Sequence, residues 1–208
     1  MILYSGYYSG KDPFGIFERT VTAFHPHDLN AAGPGALILW GGEDISPSIY
    51  NQKVVRARAP SMPSRRDMEE MDLFNMAVKL GMPIIGICRG AQLSCALSGG
   101  TLFQHLDGGH HDTHIIDTYR GGRFSTSSCH HQAMNVLNMS ENDYELLAWD
   151  HKRSTHVHTE NSEFETIIPE VINFKDTKAF AIQGHPEWMT KHAPFVQWCA
   201  NEIKARYF

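Results

Sequence analysis

The sequence predicts an α/β fold, a three-layer α/β/α arrangement around a mostly parallel central sheet. Two observations carry this. Short apolar runs recur and stop at turn residues, as strands buried on both faces do. Between two of these runs lies a segment whose apolar residues recur at helical spacing, and strand and helix then alternate as in a parallel sheet.

The elements follow in order. Residues 36–40 (Ala-Leu-Ile-Leu-Trp) form the first such run and end at Gly41-Gly42. Residues 43–62 read as loop, with Pro47, Pro60 and Pro63 as breakers. Ser64 is placed to cap a helix, with Asp67 in its first turn. Over 67–80 the residues Met68, Met71, Leu73, Phe74, Ala77, Val78 and Leu80 form the apolar stripe, expected to pack in the core, and Gly81 ends the helix. Residues 83–87 are the next buried strand, 88–90 a sharp turn and 91–97 a helix closed by Gly99-Gly100. The polar, His- and Gly-rich stretch 105–126 reads as loop. Strands are predicted at 145–149, 170–174 and 179–183, and a closing helix at 195–207. No repeat or linker divides the chain, so one domain over 1–208 is expected.

Composition narrows the function classes. The 208 residues are 42% hydrophobic and 20% charged, which excludes disordered and collagen-like chains. A net charge of −5 gives no basic field for nucleic acid. Arg56, Arg58, Arg65 and Arg66 run directly into Asp67, Glu69 and Glu70, which reads as a solvated mixed-charge face. No apolar run is long enough for a membrane helix, and the stretch 1–11 does not read as a signal peptide. Four sparse cysteines form no metal motif, and a cytoplasmic location with reduced thiols is the default expectation. The 13 histidines cluster at 110–114, 130–131 and 151–158, but clustering in sequence alone does not make a metal site. No metal and no cofactor are expected.

Gly86-Ile87-Cys88-Arg89-Gly90 places a thiol between a strand and a helix. Such a turn forces the nucleophile into a strained conformation, and the small flanking residues let the turn close. The helix N-terminus is expected to lower the thiol pKa, and the Arg89 N–H to point where an oxyanion forms. A buried structural cysteine is the alternative. The nucleophile needs a base, and the base an orienting group. His185 follows a predicted strand at the same sheet edge, and Glu187 lies within reach of its imidazole. A capping or loop histidine is the alternative for His185.

Gly-Ile-Cys-Arg-Gly-Ala-Gln at 86–92 and Gly-His-Pro-Glu-Trp at 184–188 resemble the signature of class I glutamine amidotransferase domains. The nearest branch is similar to the free-standing γ-glutamyl hydrolases of the peptidase C26 type, which include γ-glutamyl-γ-aminobutyrate hydrolase. Supporting segments are Gly41 to Pro47, Arg66-Asp67, Gly99 to Gln104 and Ser128 to Gln132, so the likeness spans about 36–190. The resemblance implies a flavodoxin-like α/β/α fold. It implies Cys88 as nucleophile, His185 as base then acid, and Glu187 as third member. It implies an oxyanion hole from the N–H groups of Gly42 and Arg89. Gln92, Ser128, Cys129, His130 and His131 would contact substrate, although Gln92, His130 and His131 also fit plain structural roles.

The chain departs from that family in three places. Only 40 residues precede the Gly41-Gly42 loop, Gly184 stands where these hydrolases often have Trp, and 108–124 is rich in Gly and His. The expected activity is hydrolysis of a γ-glutamyl amide through a γ-glutamyl thioester. The alternative is a glutaminase subunit feeding ammonia to a separate synthetase or nucleotide-modifying enzyme. A non-catalytic binding module and a zinc hydrolase built from the histidine clusters complete the set. The expected partner is a small γ-glutamyl substrate or glutamine, with a synthetase partner and a homodimer left open.

Overall fold

Strands buried at every position need cover on both faces, and four of them fill the middle of one ten-stranded sheet. This computed structural model describes residues 1–7, 11–29 and 34–208, with the backbone alone for 152–154. The part of the 1–11 segment at 8–10 thus lies outside the described residues. The elements run β1 (Ile2–Ser5), β2 (Arg19–Thr22), β3 (Gly35–Leu39), α1 (Arg65–Lys79), β4 (Ile84–Ile87), α2 (Arg89–Leu97) and β5 (Thr101–Phe103). They continue with β6 (His105–Leu106), β7 (His114–Thr118), β8 (Arg123–Thr126), β9 (Ala133–Asn135), β10 (Tyr144–His158), β11 (Glu163–Phe174), β12 (Ala179–Ile182) and α3 (Pro194–Tyr207).

The sheet order is β2-β1-β3-β4-β12-β11-β10-β7-β8, with β6 on β10, while β5 and β9 pair separately. From β2 to β12 every pairing is parallel. From β12 to β8 every pairing is antiparallel. The expectation of a mostly parallel sheet therefore holds for the half that carries Cys88 and is corrected for the other half. The reason is connection length. Only residues 159–162 join β10 to β11 and only 175–178 join β11 to β12. Such links are too short for the crossover that parallel strands need. The expected loop at 105–126 is corrected as well, because it contains β6, β7 and β8. Gly121, with φ +77°, lies in the turn that folds β8 back on β7.

Side-chain alternation splits the core into two layers. Tyr4, Leu37, Leu39 and Ile84 pack with Leu73, Phe74 and Ala77 of α1 and Ala91 of α2. Leu3, Ala36, Ile38 and Ile85 pack with Phe195, Val196 and Ile203 of α3. The three-layer reading follows from this period of two. In α1, Ser64 and Asp67 form a capping box, and Gly81 at φ +64° follows the C-cap. The apolar stripe of α1 is narrower than predicted. Met68, Val78 and Leu80 are exposed, and the buried face begins with Asp67 and Glu70. Those two carboxylates receive the buried guanidinium of Arg89.

Candidate active site

Cys88 lies at the joint between β4 and α2 with φ +49° and ψ −106°. This is a region that a residue with a Cβ enters only when its surroundings over-determine it. Here they do. Its N–H donates to Ile182 O at 2.8 Å, and its carbonyl accepts from Gln92 N at 3.0 Å. Glycine is required on either side of it. A Cβ on Gly86 would sit 2.5 Å from Gly90 O, and one on Gly90 would sit 2.1 Å from Leu39 O. Those contacts bring α2 down onto the sheet and turn the thiol to the edge.

His185 follows β12, the neighbour of β4, so adjacent parallel strands deliver both groups to the same edge. His185 N donates to Ser127 O at 2.7 Å, and His185 Nδ1 meets Glu187 Oε1 at 2.7 Å. The Trp188 indole lies on the imidazole, with ring centroids 3.7 Å apart and planes 2° apart. Carboxylate and indole together fix both the position and the plane of the ring. Glu187 Oε2 is buried without a hydrogen-bond partner among the described residues.

Gly41 and Gly42 close the near side. A Cβ on Gly41 would lie 2.9 Å from His185 Cε1 and 3.6 Å from Cys88 Cβ. Arg66 holds this loop by donating from Nη2 to Trp40 O and Gly41 O, each at 3.1 Å. Cys88, His185, Glu187, Gly42 and Arg89 all line one cavity of about 540 Å³. Residue-type reasoning passed over Gly41, the loop-fixing role of Arg66 and Trp188. All three lie inside the motifs named above, and their roles depend on packing that a motif does not display.

The substrate-contact candidates divide. Cys129 lines this cavity, and its carbonyl lies 3.9 Å from Cys88 Sγ. His131 Nε2 lies 3.0 Å from Asp44 Oδ2, and Asp44 lines the cavity. Ser128 is buried, and its hydroxyl has no hydrogen-bond partner. Gln92 is buried and donates from Nε2 to Gln132 O at 3.1 Å, outside the cavity lining. His130 points away into a second cluster with His110 and Glu170. Gly184 has a steric reason: a Cβ there would meet Thr126 Oγ1 at 2.5 Å, so β8 occupies the space of a larger residue.

Burial pushes the Cys88 thiol up to about 12, against the Arg89 N–H hydrogen bond that favours the thiolate. The Glu187 charge adds to the rise. The expectation that the helix N-terminus lowers this pKa is therefore corrected, because desolvation outweighs the N-terminal N–H. At neutral pH such a thiol is protonated.

Among the described residues, three groups have donor atoms placed for a cation: Asp107 with His156 and His158, His110 with His114 and Asp150, and His110 with His130 and Glu170. None includes Cys88 or His185.

The model of the peptidase C26 family matches residues 35–187. A stretch of 71 residues is 44% identical to a Mycobacterium tuberculosis protein provisionally named a glutamine amidotransferase, covering 34% of this chain and 23% of that one. Over 161 residues the chain is 26% identical to the glutamine amidotransferase-like protein YvdE of Lactococcus lactis, covering 75% of this chain and 68% of that one. The chain thus matches under a quarter of the mycobacterial relative and about two thirds of the lactococcal one. A solved structure from Thermoplasma acidophilum, provisionally described as one of the subunits of a GMP synthase, superposes with a TM-score of 0.58 at 16% identity, covering 100% of this chain and 96% of that one. That likeness shows the shared α/β fold.

Proposed function

The chain belongs to the peptidase C26 family, and from that membership we propose that it hydrolyses a γ-glutamyl amide through a thioester on Cys88. The observation that carries the reading is one cavity holding a strained thiol together with an imidazole oriented by a carboxylate. His185 Nε2 takes the thiol proton as sulfur attacks the δ-carbonyl carbon of the γ-glutamyl group. The backbone N–H groups of Arg89 and Gly42 stabilise the resulting oxyanion. The tetrahedral intermediate collapses, the C–N bond breaks and His185 returns its proton to the leaving nitrogen. Water then gives a proton to His185, adds to the thioester carbon and releases glutamate, and the sulfur recovers its proton.

Glu187 keeps Nδ1 of His185 as the donor, so Nε2 is the base. Glu187→Gln is expected to lower kcat by about 10²-fold or more with little change in KM. Steady-state kinetics at several pH values checks this, and wild-type kcat would remove Glu187 from the reading. Gly41→Ala is expected to displace the His185 ring and reduce kcat by about 10²-fold, since misplacement by an ångström costs that much. Thermal unfolding of the variant is expected to stay near wild type. Unchanged kcat in Gly41→Ala would mean that the loop yields and the ring does not.

The second reading, a glutaminase subunit, draws on the names of the relatives and on the synthase description of the superposed structure. The deciding experiment measures glutamate release by the purified chain alone, from glutamine and from a panel of γ-glutamyl amines and peptides. Strong release from one γ-glutamyl amide, with glutamine poor, supports the hydrolase. No release from any of them, with Cys88 still reactive toward a γ-glutamyl-mimicking electrophile, supports the glutaminase reading.

A further inference from the structure

Outside the active-site cavity, the densest group of metal-ligating side chains lies where β7, β11 and the 128–132 segment meet. His110, His130 and Glu170 are each at least nine-tenths buried. His110 and His130 are joined by a backbone bridge, each N–H donating to the other's carbonyl at 2.8 Å. Three imidazole nitrogens surround one carboxylate oxygen, Glu170 Oε1: His114 Nε2 at 3.0 Å, His110 Nδ1 at 3.5 Å and His130 Nε2 at 4.0 Å. Of these, His110 Nδ1 and His130 Nε2 are buried and lie beyond hydrogen-bond distance of any partner among the described residues. A buried imidazole nitrogen without a partner costs free energy comparable to a lost hydrogen bond.

A proton shared between His114 and Glu170 would satisfy that pair and leave the other two nitrogens unmatched. A cation among His110, His130 and Glu170 would match both. A tetrahedral ion with bonds of about 2.0–2.1 Å separates its donors by roughly 3.4 Å, and His110 Nδ1 and His130 Nε2 lie 3.5 and 4.0 Å from Glu170 Oε1. The outer partners are also in place. His130 Nδ1 is 2.8 Å from Gln132 O, which fixes the tautomer with the Nε2 lone pair facing Glu170. His110 Nε2 lies 3.6 Å from Asp150 Oδ2, on the ring edge opposite Glu170. Metal-bound histidines characteristically hold their second nitrogen against a carboxylate or a backbone carbonyl in this way.

We propose that His110, His130 and Glu170 bind one divalent transition-metal ion of the zinc class. An imidazole-rich set with one carboxylate selects such ions over calcium or magnesium, which prefer oxygen. Glu170 and the Asp150 side chain behind His110 balance the double charge. A cavity of about 460 Å³, lined by His110, His114 and Asp150, lies on the His110 side of this group. The expectation of no metal weighed clustering in sequence and the absence of a cysteine motif; the proposal is drawn instead from convergence in space. The Asp107 group is a weaker candidate because His158 already uses both nitrogens, on Asp107 at 2.9 Å and on Glu163 at 3.0 Å.

The bound ion would tie the antiparallel half of the sheet to the nucleophile. His130 follows Cys129, whose carbonyl faces Cys88 Sγ, and the Glu170 carbonyl accepts from Gln183 N, two residues before His185. The test uses the full chain without a histidine tag, stripped with chelator, incubated with zinc, desalted and assayed for metal. About one zinc per chain is expected in the wild type, in Cys88→Ala and in His158→Ala. His110→Ala and Glu170→Gln are each expected to weaken zinc binding by at least about tenfold, the loss seen when even an outer partner is removed. Zinc retained in both of those variants, zinc lost in Cys88→Ala, or a wild type without zinc would each overturn the proposal. Cobalt-loaded wild type keeps the test independent of variant folding. Ligand-field bands without a thiolate charge-transfer band are expected, and a thiolate band overturns the assignment. Both readouts are independent of γ-glutamyl hydrolysis.

Discussion

Replacing Cys88 with Ala is expected to lower kcat for glutamate release by at least about 10⁴-fold while the protein stays folded. Removing a covalent nucleophile costs on that scale, because the remaining oxyanion donors and binding contacts supply only the residual rate. The side chain is small and buried at a joint that backbone hydrogen bonds already hold, so Ala leaves the fold in place. Steady-state turnover near wild type in a verified Cys88→Ala preparation would remove the covalent mechanism. The raised thiol pKa adds a second expectation. Alkylation of the free protein by a neutral haloacetamide should climb about tenfold per pH unit between pH 7 and 9, because a thiol titrating near about 12 is still far from half-ionised. A plateau below pH 9 would show that His185 already holds the proton before substrate arrives.

Replacing Arg89 with Met is expected to destabilise the protein by about 3–5 kcal/mol, the cost of leaving a buried charge uncompensated. Arg89 is 2% exposed, and its guanidinium reaches Asp67 and Glu70 of α1, themselves 1% and 2% exposed. With the guanidinium gone, Glu70 keeps only Arg66, and Asp67 keeps only the Ser64 cap and has no cation. Urea unfolding measures the loss, and a change below about 1 kcal/mol would show that the triad is no better than an apolar contact. Adding Asp67→Asn and Glu70→Gln to the Met variant should recover part of the stability, because neutral amides carry a smaller desolvation cost. The Arg89 backbone N–H survives all of these changes, so kcat per folded molecule is expected to change far less than stability.

The parallel half of the fold was legible from the sequence because its signals are local. A strand buried on both faces is apolar throughout, as at 36–40 and 84–87, and Ser64 with Gly81 marks the ends of α1. The antiparallel half was not. β7 and β8 mix His, Asp, Arg and Ser with two isoleucines and a phenylalanine, and a Gly-Gly turn joins them, so their polarity reads as loop. Their strand character comes from pairing with β10 and with each other, contacts that local composition does not encode. The stripe of α1 was misjudged for a related reason. Asp67 and Glu70 are buried where Arg89, some twenty residues later, meets them, beside the Ser64 cap on Asp67 and Arg66 on Glu70.

The sequence by itself determined the strained turn at Cys88, the His-Pro-Glu segment and the family, because each is a short run of residues whose spacing carries its own geometry. The tertiary structure decided what distance in sequence conceals. It stacks Trp188 on His185, sets Gly41 against the same ring and raises the thiol pKa by burying it. It also parts two neighbouring histidines, sending His131 to Asp44 at the cavity and His130 to Glu170 in the second cluster. Successive side chains in extended backbone point to opposite sides, so adjacency in sequence becomes separation in space, and only the packing around each ring assigns its role.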